Sequence, residues 1–132
     1  MSIVTGYIPT AEGEAALDRA IEEAQRLNTL LVVINSSRGD AYVDNRFIQP
    51  DDAASLKERL QQAKVEHILQ QPIRGNDAAE EVVEAAEKHR ADLIVIGLRR
   101  RTPVGKLIMG STAQQILLQA QCPVLAVKAA YS

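Results

Sequence analysis

The sequence is poor in aromatic residues and cysteine and has no tryptophan, and each shortage narrows the class of protein. Aromatic residues make up 3% of the 132 residues, so the core has to be built from Ala, Val, Ile and Leu. The single cysteine, Cys122, cannot form an internal disulfide, which fits a reducing, cytoplasmic compartment. No basic opening segment precedes an apolar run, which argues against a secretory signal.

Long hydrophobic runs and a basic excess are lacking as well. The apolar stretches are too short to cross a bilayer, so no membrane association is expected. The formal net charge of -2 argues against a protein that coats nucleic acid, because neutralising phosphates requires a positive surface. The remaining composition is that of a soluble globular protein, and its length suits one domain over residues 1–132.

Short apolar runs alternate with amphipathic helical patterns along the chain. The run Leu30 to Ile34 has no polar alternation, which is typical of a strand covered on both faces. Similar patterns predict strands over residues 3–7, 65–71, 93–96 and 124–127. The order β-α-β-α-β-α-β-α-β predicts an α/β fold with a five-stranded parallel doubly wound sheet, Rossmann-like, with helices on both faces.

The predicted helices begin at residues suited to helix starts. Thr10 and Asn76 are predicted N-caps, and Pro50 opens a helix. In the helix after Asn76 the glutamates, Glu81 among them, are expected to face water. The polar segment 35–49 is predicted to be a loop. The last helix is expected to bury one face, formed by Ala113, Ile116, Leu117 and Ala120.

One predicted connection is unusually long for an α/β protein. It runs from Gly97 to Met109, whereas such connections usually take about 2–6 residues. Doubly wound sheets bind ligands at the carboxyl ends of their strands, so this segment is the predicted binding loop. Its positive charges, with no acidic residue among them, come from Arg99, Arg100, Arg101 and Lys106.

The start of the last helix, Gly110-Ser111-Thr112, is the second half of the predicted site. A helix start offers unpaired N–H groups and a partial positive charge, both of which favour an anion. The hydroxyls of Ser111 and Thr112 can donate to a phosphate, so a phosphate-bearing ligand is the hypothesis. The alternatives are that a hydroxyl only caps the helix, and that the arginines form a solvated surface run.

A longer pattern connects these residues. Gly97 follows a strand, Gly110-Ser111 opens a helix, and Cys122-Pro123-Val124 begins the last strand. This resembles the universal stress protein family, whose members carry G-x2-G-x9-G-[S/T] between a strand and a helix. The resemblance covers about residues 3–128 and implies a Rossmann-like fold of the adenine nucleotide alpha hydrolase type.

The resemblance also implies a ligand. In nucleotide-binding members the glycines and the Ser/Thr hold the ribose and phosphates of ATP, which carries over to Gly97, Gly110 and Ser111. Val33 matches the strand residue whose backbone reads adenine. The implied ligand is ATP or AMP, and the presence of Mg²⁺ is left open.

Two positions depart from the family pattern. Arg100 stands where the second loop glycine is expected, and Ile8 stands where family members use an acidic residue on the ribose or metal. The guanidinium of Arg100 is able to grip phosphate instead, whereas Ile8 offers the sugar no hydrogen bond. The alternative function is therefore a nucleotide-independent dimeric scaffold. A homodimer through the last strand, residues 123–128, is expected in either case because a bare edge strand invites pairing.

The sequence contains no recognisable catalytic constellation. His67 and His89 lack metal-ligand spacing, and Cys122 has no basic helper near it in sequence. A slow ATPase would lack both a visible general base and an acidic metal ligand in the loop. The expected protein is a regulatory stress-response protein rather than an enzyme with rapid turnover.

Overall fold

The computed structural model describes residues 1–35, 50–71, 77–101, 106–108 and 110–129. The predicted loop 35–49 lies outside these ranges from residue 36 onward. The described elements alternate between strand and helix as the sequence predicts, with one exception at β5. In chain order they are β1 Ser2–Gly6, α1 Ala11–Leu27, β2 Leu30–Ile34, α2 Pro50–Gln62, β3 His67–Gln70, α3 Ala78–Lys88, β4 Ala91–Arg101, β5 Lys106–Ile108, α4 Ser111–Gln119 and β6 Val124–Lys128.

The sheet confirms the predicted five-stranded parallel arrangement. β1 pairs with β2 on one side and with β4 on the other, β3 continues the sheet beyond β2, and β6 pairs with β4. All of these pairs are parallel. The chain adds β2 and β3 on one side of β1 and then β4 and β6 on the other side, so the strand order reverses beside β1, as in a doubly wound sheet. The short β5 adds an antiparallel pair at the far end of β4.

Two apolar layers cover the two faces of the sheet, which explains why the strands read as unbroken hydrophobic runs. Along β2, alternate residues enter opposite layers, because successive side chains of a strand point to opposite faces. The layer under α1 and α2 contains Ile3, Leu17, Leu31, Val33, Leu60 and Val95. The layer under α3 and α4 contains Val4, Val32, Ile34, Val82, Ile94 and Ile116.

The structure confirms the predicted starts of two helices, at Thr10 and Pro50, and corrects two predictions for α3, its N-cap residue and the exposure of Glu81. Thr10 caps α1, its hydroxyl accepting a hydrogen bond from the Gly13 N–H at 3.1 Å. α3 is capped by Asp77 rather than by Asn76, because the Asp77 carboxylate accepts from the Glu80 N–H at 2.8 Å. The α2 boundary is close to the prediction. Glu81 is buried rather than solvated, and it lies in the first turn of α3, where the helix N–H groups favour a carboxylate.

The last helix buries a narrower face than its sequence pattern suggests. Ala113 and Ile116 are buried, but Leu117 is 41% exposed and Leu118 is 85% exposed. α4 is nine residues long, so it has only about two and a half turns with which to contact the sheet. Within the ranges that the structure describes, no helix combines the length and apolarity needed to cross a membrane.

Candidate functional site

The carboxyl ends of the first three strands are tied together by one buried amide. Asn35, which follows β2, is fully buried, and its Nδ2 donates to the carbonyl oxygen of Tyr7 at 2.8 Å. Its Oδ1 accepts from Nε2 of Gln71 at 3.2 Å. Because Tyr7 follows β1 and Gln71 follows β3, this carboxamide fixes the edge of the sheet where ligands of such folds bind.

The turn that follows β1 packs closely against the first turn of α1. The Thr10 N–H donates to the Ile8 carbonyl at 2.8 Å. At Gly13, an added Cβ would lie 1.9 Å from the same Ile8 carbonyl oxygen, a distance no side chain tolerates. Glycine at this position therefore allows α1 to start directly over the turn that follows β1.

Gly97 serves a similar purpose between α1 and β4. A Cβ built on Gly97 would meet the Glu12 carbonyl oxygen at 2.0 Å and the Glu12 Cβ at 3.0 Å. The first turn of α1 thus lies directly on the backbone of β4. Sequence reasoning assigned this glycine to ligand contact, and the structure gives it a packing role as well.

The predicted binding loop begins as a continuation of the sheet, which corrects the sequence prediction. β4 does not end at Ile96 but continues through Gly97 to Arg101. Arg99 pairs with Ile108 and Arg100 pairs with Leu107 in an antiparallel hairpin with β5. The Leu-Ile segment of β5 is too short to be recognised as a strand in the sequence. Residues 102–105 and 109 lie outside the described residues.

The hairpin returns the chain toward the place where it left the sheet. From the paired Arg99 and Ile108, only two residues lead back to Gly97 on one strand and forward to Gly110 on the other. Two residues of extended chain span about 7 Å, so both glycines lie at the same end of the hairpin. The two halves of the predicted site, Gly97 and Gly110-Ser111-Thr112, are therefore near one another in the fold.

The start of α4 carries no cap of its own. Gly110 is the N-cap residue, and glycine has no side chain that could accept a hydrogen bond from the first-turn N–H groups. The alternative reading of the sequence, that Ser111 or Thr112 only caps the helix, is not supported, because both residues lie inside the first turn. That turn has no acidic residue, and an added Cβ on the exposed Gly110 would meet nothing within 4 Å. The partial positive charge of this helix end is not neutralised by the residues of its own first turn.

Val33 is more buried than the candidates Gly97, Gly110, Ser111 and Thr112. Its side chain is fully buried, and its position in β2 is paired with Thr5 of β1 on one side and with Leu69 of β3 on the other. A ligand contact at Val33 would have to involve its backbone, as the family resemblance implies. Within the described chain, Asn35 is the residue that follows β2 at the carboxyl edge.

An ion-pair network beside this edge joins α1 to α2. Glu14 accepts from the Tyr7 hydroxyl at 2.5 Å and from Arg59 at 2.7 Å, and Arg59 also bonds Asp18. Burial opposes the ionisation of Glu14, but the hydrogen bonds from Tyr7 and Arg59 outweigh it, so the pKa of Glu14 lies below its usual value. The carboxylate of Glu14 is therefore charged at neutral pH and engaged in holding the two helices together.

A cavity of about 260 Å³ lies away from these residues, at the opposite edge of the sheet, where β4 begins. Its lining includes Ala86, Arg90, Ala120 and Cys122. Burial raises the pKa of the Cys122 thiol, and the charge of Asp92 adds to the effect, so this thiol stays protonated at neutral pH. Among the described residues, no three His, Cys, Asp or Glu side chains are grouped as a metal ion would require.

Sequence reasoning missed two residues at the carboxyl edge, Glu12 and Asn35. Asn35 gives a weak signal, since it is a polar residue directly after a buried strand. Glu12 gives none, because its position depends on contact with Gly97, a residue far along the chain.

Together the parallel sheet, its reversal beside β1 and the start of α4 at its carboxyl edge, which has a glycine N-cap and no acidic residue in its first turn, define the protein as α/β. The model of the universal stress protein family matches residues 1–128, so the chain belongs to this family. A universal stress protein from Mycolicibacterium smegmatis is 48% identical over 126 residues, with 96% of each chain covered.

Solved structures agree with this assignment. A universal stress protein from Archaeoglobus fulgidus superposes with a TM-score of 0.74 at 29% identity, covering 97% of this chain and 98% of the other. The universal stress protein from the same organism in complex with dAMP gives a TM-score of 0.69 at 26% identity, with the same coverage of both chains. The Rossmann-like fold implied by the sequence is thereby confirmed.

Proposed function

We propose that this protein is a regulatory adenine-nucleotide-binding protein of the universal stress protein family. The observation that carries the proposal is the uncapped start of α4, which lies at the carboxyl edge beside a hairpin rich in arginine. A helix start without a cap or an acidic residue favours an anion, and phosphate is the commonest such ligand. The relative from Archaeoglobus fulgidus that was solved with dAMP supports an adenine nucleotide as the ligand.

The nucleotide would lie across the carboxyl edge of the sheet. Its adenine would meet the backbone at the end of β2 near Val33, and its phosphates would meet Ser111 and Thr112 at the start of α4. The strand residues Arg99 and Arg100 would add positive charge on the phosphate side. Both ATP and AMP are compatible with this arrangement, because one phosphate would lie at the helix start and any further phosphates would extend toward the hairpin.

The proposal is tested by denaturing purified protein and separating released small molecules by chromatography. We expect ATP, ADP or AMP in the released fraction, or a rise in melting temperature when millimolar ATP is added to empty protein. Because the proposal relies on attraction between phosphate and positive charge, affinity should fall several-fold between 0.1 M and 1 M salt, where the screening length drops from about 10 Å to about 3 Å. Protein that is purified empty and does not respond to ATP would contradict the proposal.

A second candidate function is a dimeric scaffold that does not depend on nucleotide. It is favoured by β6, which pairs with β4 alone among the described strands and so presents an edge. The element before it, α4, exposes Leu118. Unpaired edges and exposed leucines are features of surfaces that associate, so a homodimer through residues 123–128 is proposed with either function.

The dimer is tested with Ala126→Pro, measured by light scattering. The Ile94 N–H donates to the Pro123 carbonyl, so alternation along β6 places the N–H of Ala126 on the side away from β4. Proline there leaves the β4 ladder intact and removes a donor from the open edge, so we expect the dimer to dissociate at micromolar concentration. Ala126→Ser, which keeps the donor, is the control and should remain a dimer. A monomeric parent protein would refute the dimer.

A further inference from the structure

The cavity of about 260 Å³ lies between the end of α3, the start of β4 and the segment that follows α4. Its volume is slightly below the range of about 300–1,000 Å³ typical of sites for drug-sized ligands, so it suits a smaller molecule. The start of α4 is the proposed phosphate position, and its other end borders this cavity. The two places are separated by the length of that helix, about 14 Å, so the cavity is not part of the nucleotide site.

The wall of the cavity is largely apolar. Val83 and Ala86 contribute to it from α3, Ala91 from β4, and Ala120 and Cys122 from the chain after α4. Because burial raises the pKa of the Cys122 thiol, this part of the wall carries no charge at neutral pH. Such a wall accommodates a small aliphatic group, whose transfer from water is favourable.

Two residues of opposite charge belong to the same lining, Glu87 and Arg90. Val83, Ala86 and Glu87 follow the i, i+3, i+4 spacing, so the side chain of Glu87 projects from the helix face that forms the wall. Both charged residues are exposed, and neither forms an ion pair with another residue in the described part of the chain. The cavity thus offers a carboxylate and a guanidinium to a ligand.

We infer that this cavity binds a free α-amino acid with a small aliphatic side chain, such as leucine. The α-carboxylate accepts paired hydrogen bonds from the Arg90 guanidinium, the α-ammonium donates to the Glu87 carboxylate, and the aliphatic group lies against the apolar wall. A ligand with both charges matches the lining better than a simple carboxylate or amine, because either of those leaves one charged residue without a partner. The inference does not depend on nucleotide binding.

The experiment is an NMR titration of the isotope-labelled full chain with L-leucine, isocaproate and isoamylamine. Isocaproate lacks the ammonium of leucine, and isoamylamine lacks its carboxylate. Because Glu87 and Arg90 are exposed, water screens both contacts, so we expect saturable leucine binding in the millimolar range. The shifts should centre on the amides of Ala86, Ala120 and Cys122, and each analogue should bind about fivefold more weakly than leucine.

Two variants remove the charges one at a time. Glu87→Gln should bring the affinities of leucine and isocaproate together, and Arg90→Asn should do the same for leucine and isoamylamine. Arg90 has a φ of 52°, a left-handed conformation that asparagine tolerates, so this variant should keep the fold. The matched control is Glu84→Gln, which removes an exposed carboxylate of α3 outside the lining and should leave all three affinities unchanged.

A parent protein that shows no saturable response to millimolar L-leucine would overturn the inference. Shifts centred away from the cavity would overturn it as well, and so would isocaproate or isoamylamine binding as tightly as leucine. Variants that keep the parent preference for leucine over both analogues would show that Glu87 and Arg90 do not hold the ligand. Because the three ligands are first compared on the parent protein, the test stands even if one variant fails to fold.

Discussion

Replacing Gly97 with alanine is expected to lower the free energy of unfolding by about 3 kcal/mol. The added Cβ would lie 2.0 Å from the carbonyl oxygen of Glu12, so either α1 or β4 has to move. Backbone atoms at the first turn of a helix do not yield as the end of a flexible side chain does. Equilibrium unfolding in urea, followed by circular dichroism, measures the loss.

Gly110→Ala is the matched control for this substitution. A Cβ at Gly110 would meet nothing within 4 Å, so the change should cost less than about 1 kcal/mol, the cost of a poorer N-cap residue. Equal stabilities of the two variants would contradict the packing role of Gly97. The comparison also separates two functions of these glycines: loss of ligand binding in the Gly97 variant would reflect a displaced α1, whereas loss in the Gly110 variant would reflect the site.

Replacing Ser111 with aspartate is expected to reduce ATP affinity at least about 100-fold while making the protein slightly more stable. A carboxylate in the first turn of α4 interacts favourably with the helix dipole, by about 0.3–1 kcal/mol. The same carboxylate would repel a phosphate at the helix start, and juxtaposed like charges cost several kcal/mol. Calorimetry and thermal unfolding on one sample measure the two opposite effects.

Ser111→Asn is the control, because asparagine matches aspartate in shape and lacks its charge. It should lose far less affinity than the aspartate variant and gain less stability. If both variants bind ATP equally well, no phosphate lies at the start of α4. If the aspartate variant unfolds at a lower temperature than the parent, the first turn of α4 is not the open helix end described above.

The parallel sheet was predictable because the buried strands, such as Leu30–Ile34, have no polar residue to interrupt them. The antiparallel hairpin was not predictable, because three consecutive arginines in β4 are typical of a solvated surface segment. Backbone pairing with β5 overrides that tendency, and pairing between strands is invisible in local composition.

The candidate site was only partly predictable for a related reason. Gly97, Gly110 and Ser111 belong to a recognisable motif, whereas Glu12 is brought to β4 by the packing of α1. Asp77 and Asn76 are neighbours with similar capping ability, so the sequence alone does not choose between them. The structure chooses Asp77, whose carboxylate reaches the Glu80 N–H.

The central position of β1 has a consequence for biosynthesis. Its partner β2 follows within the first 34 residues, but its other partner, β4, begins only at Ala91. The hydroxyl of Thr5 donates to the Val95 carbonyl at 2.9 Å across 90 residues of chain, a contact that closes late because long-range contacts are slow to form. On the ribosome, the backbone hydrogen-bonding groups of β1 that face β4 therefore remain unpaired until most of the chain has been translated.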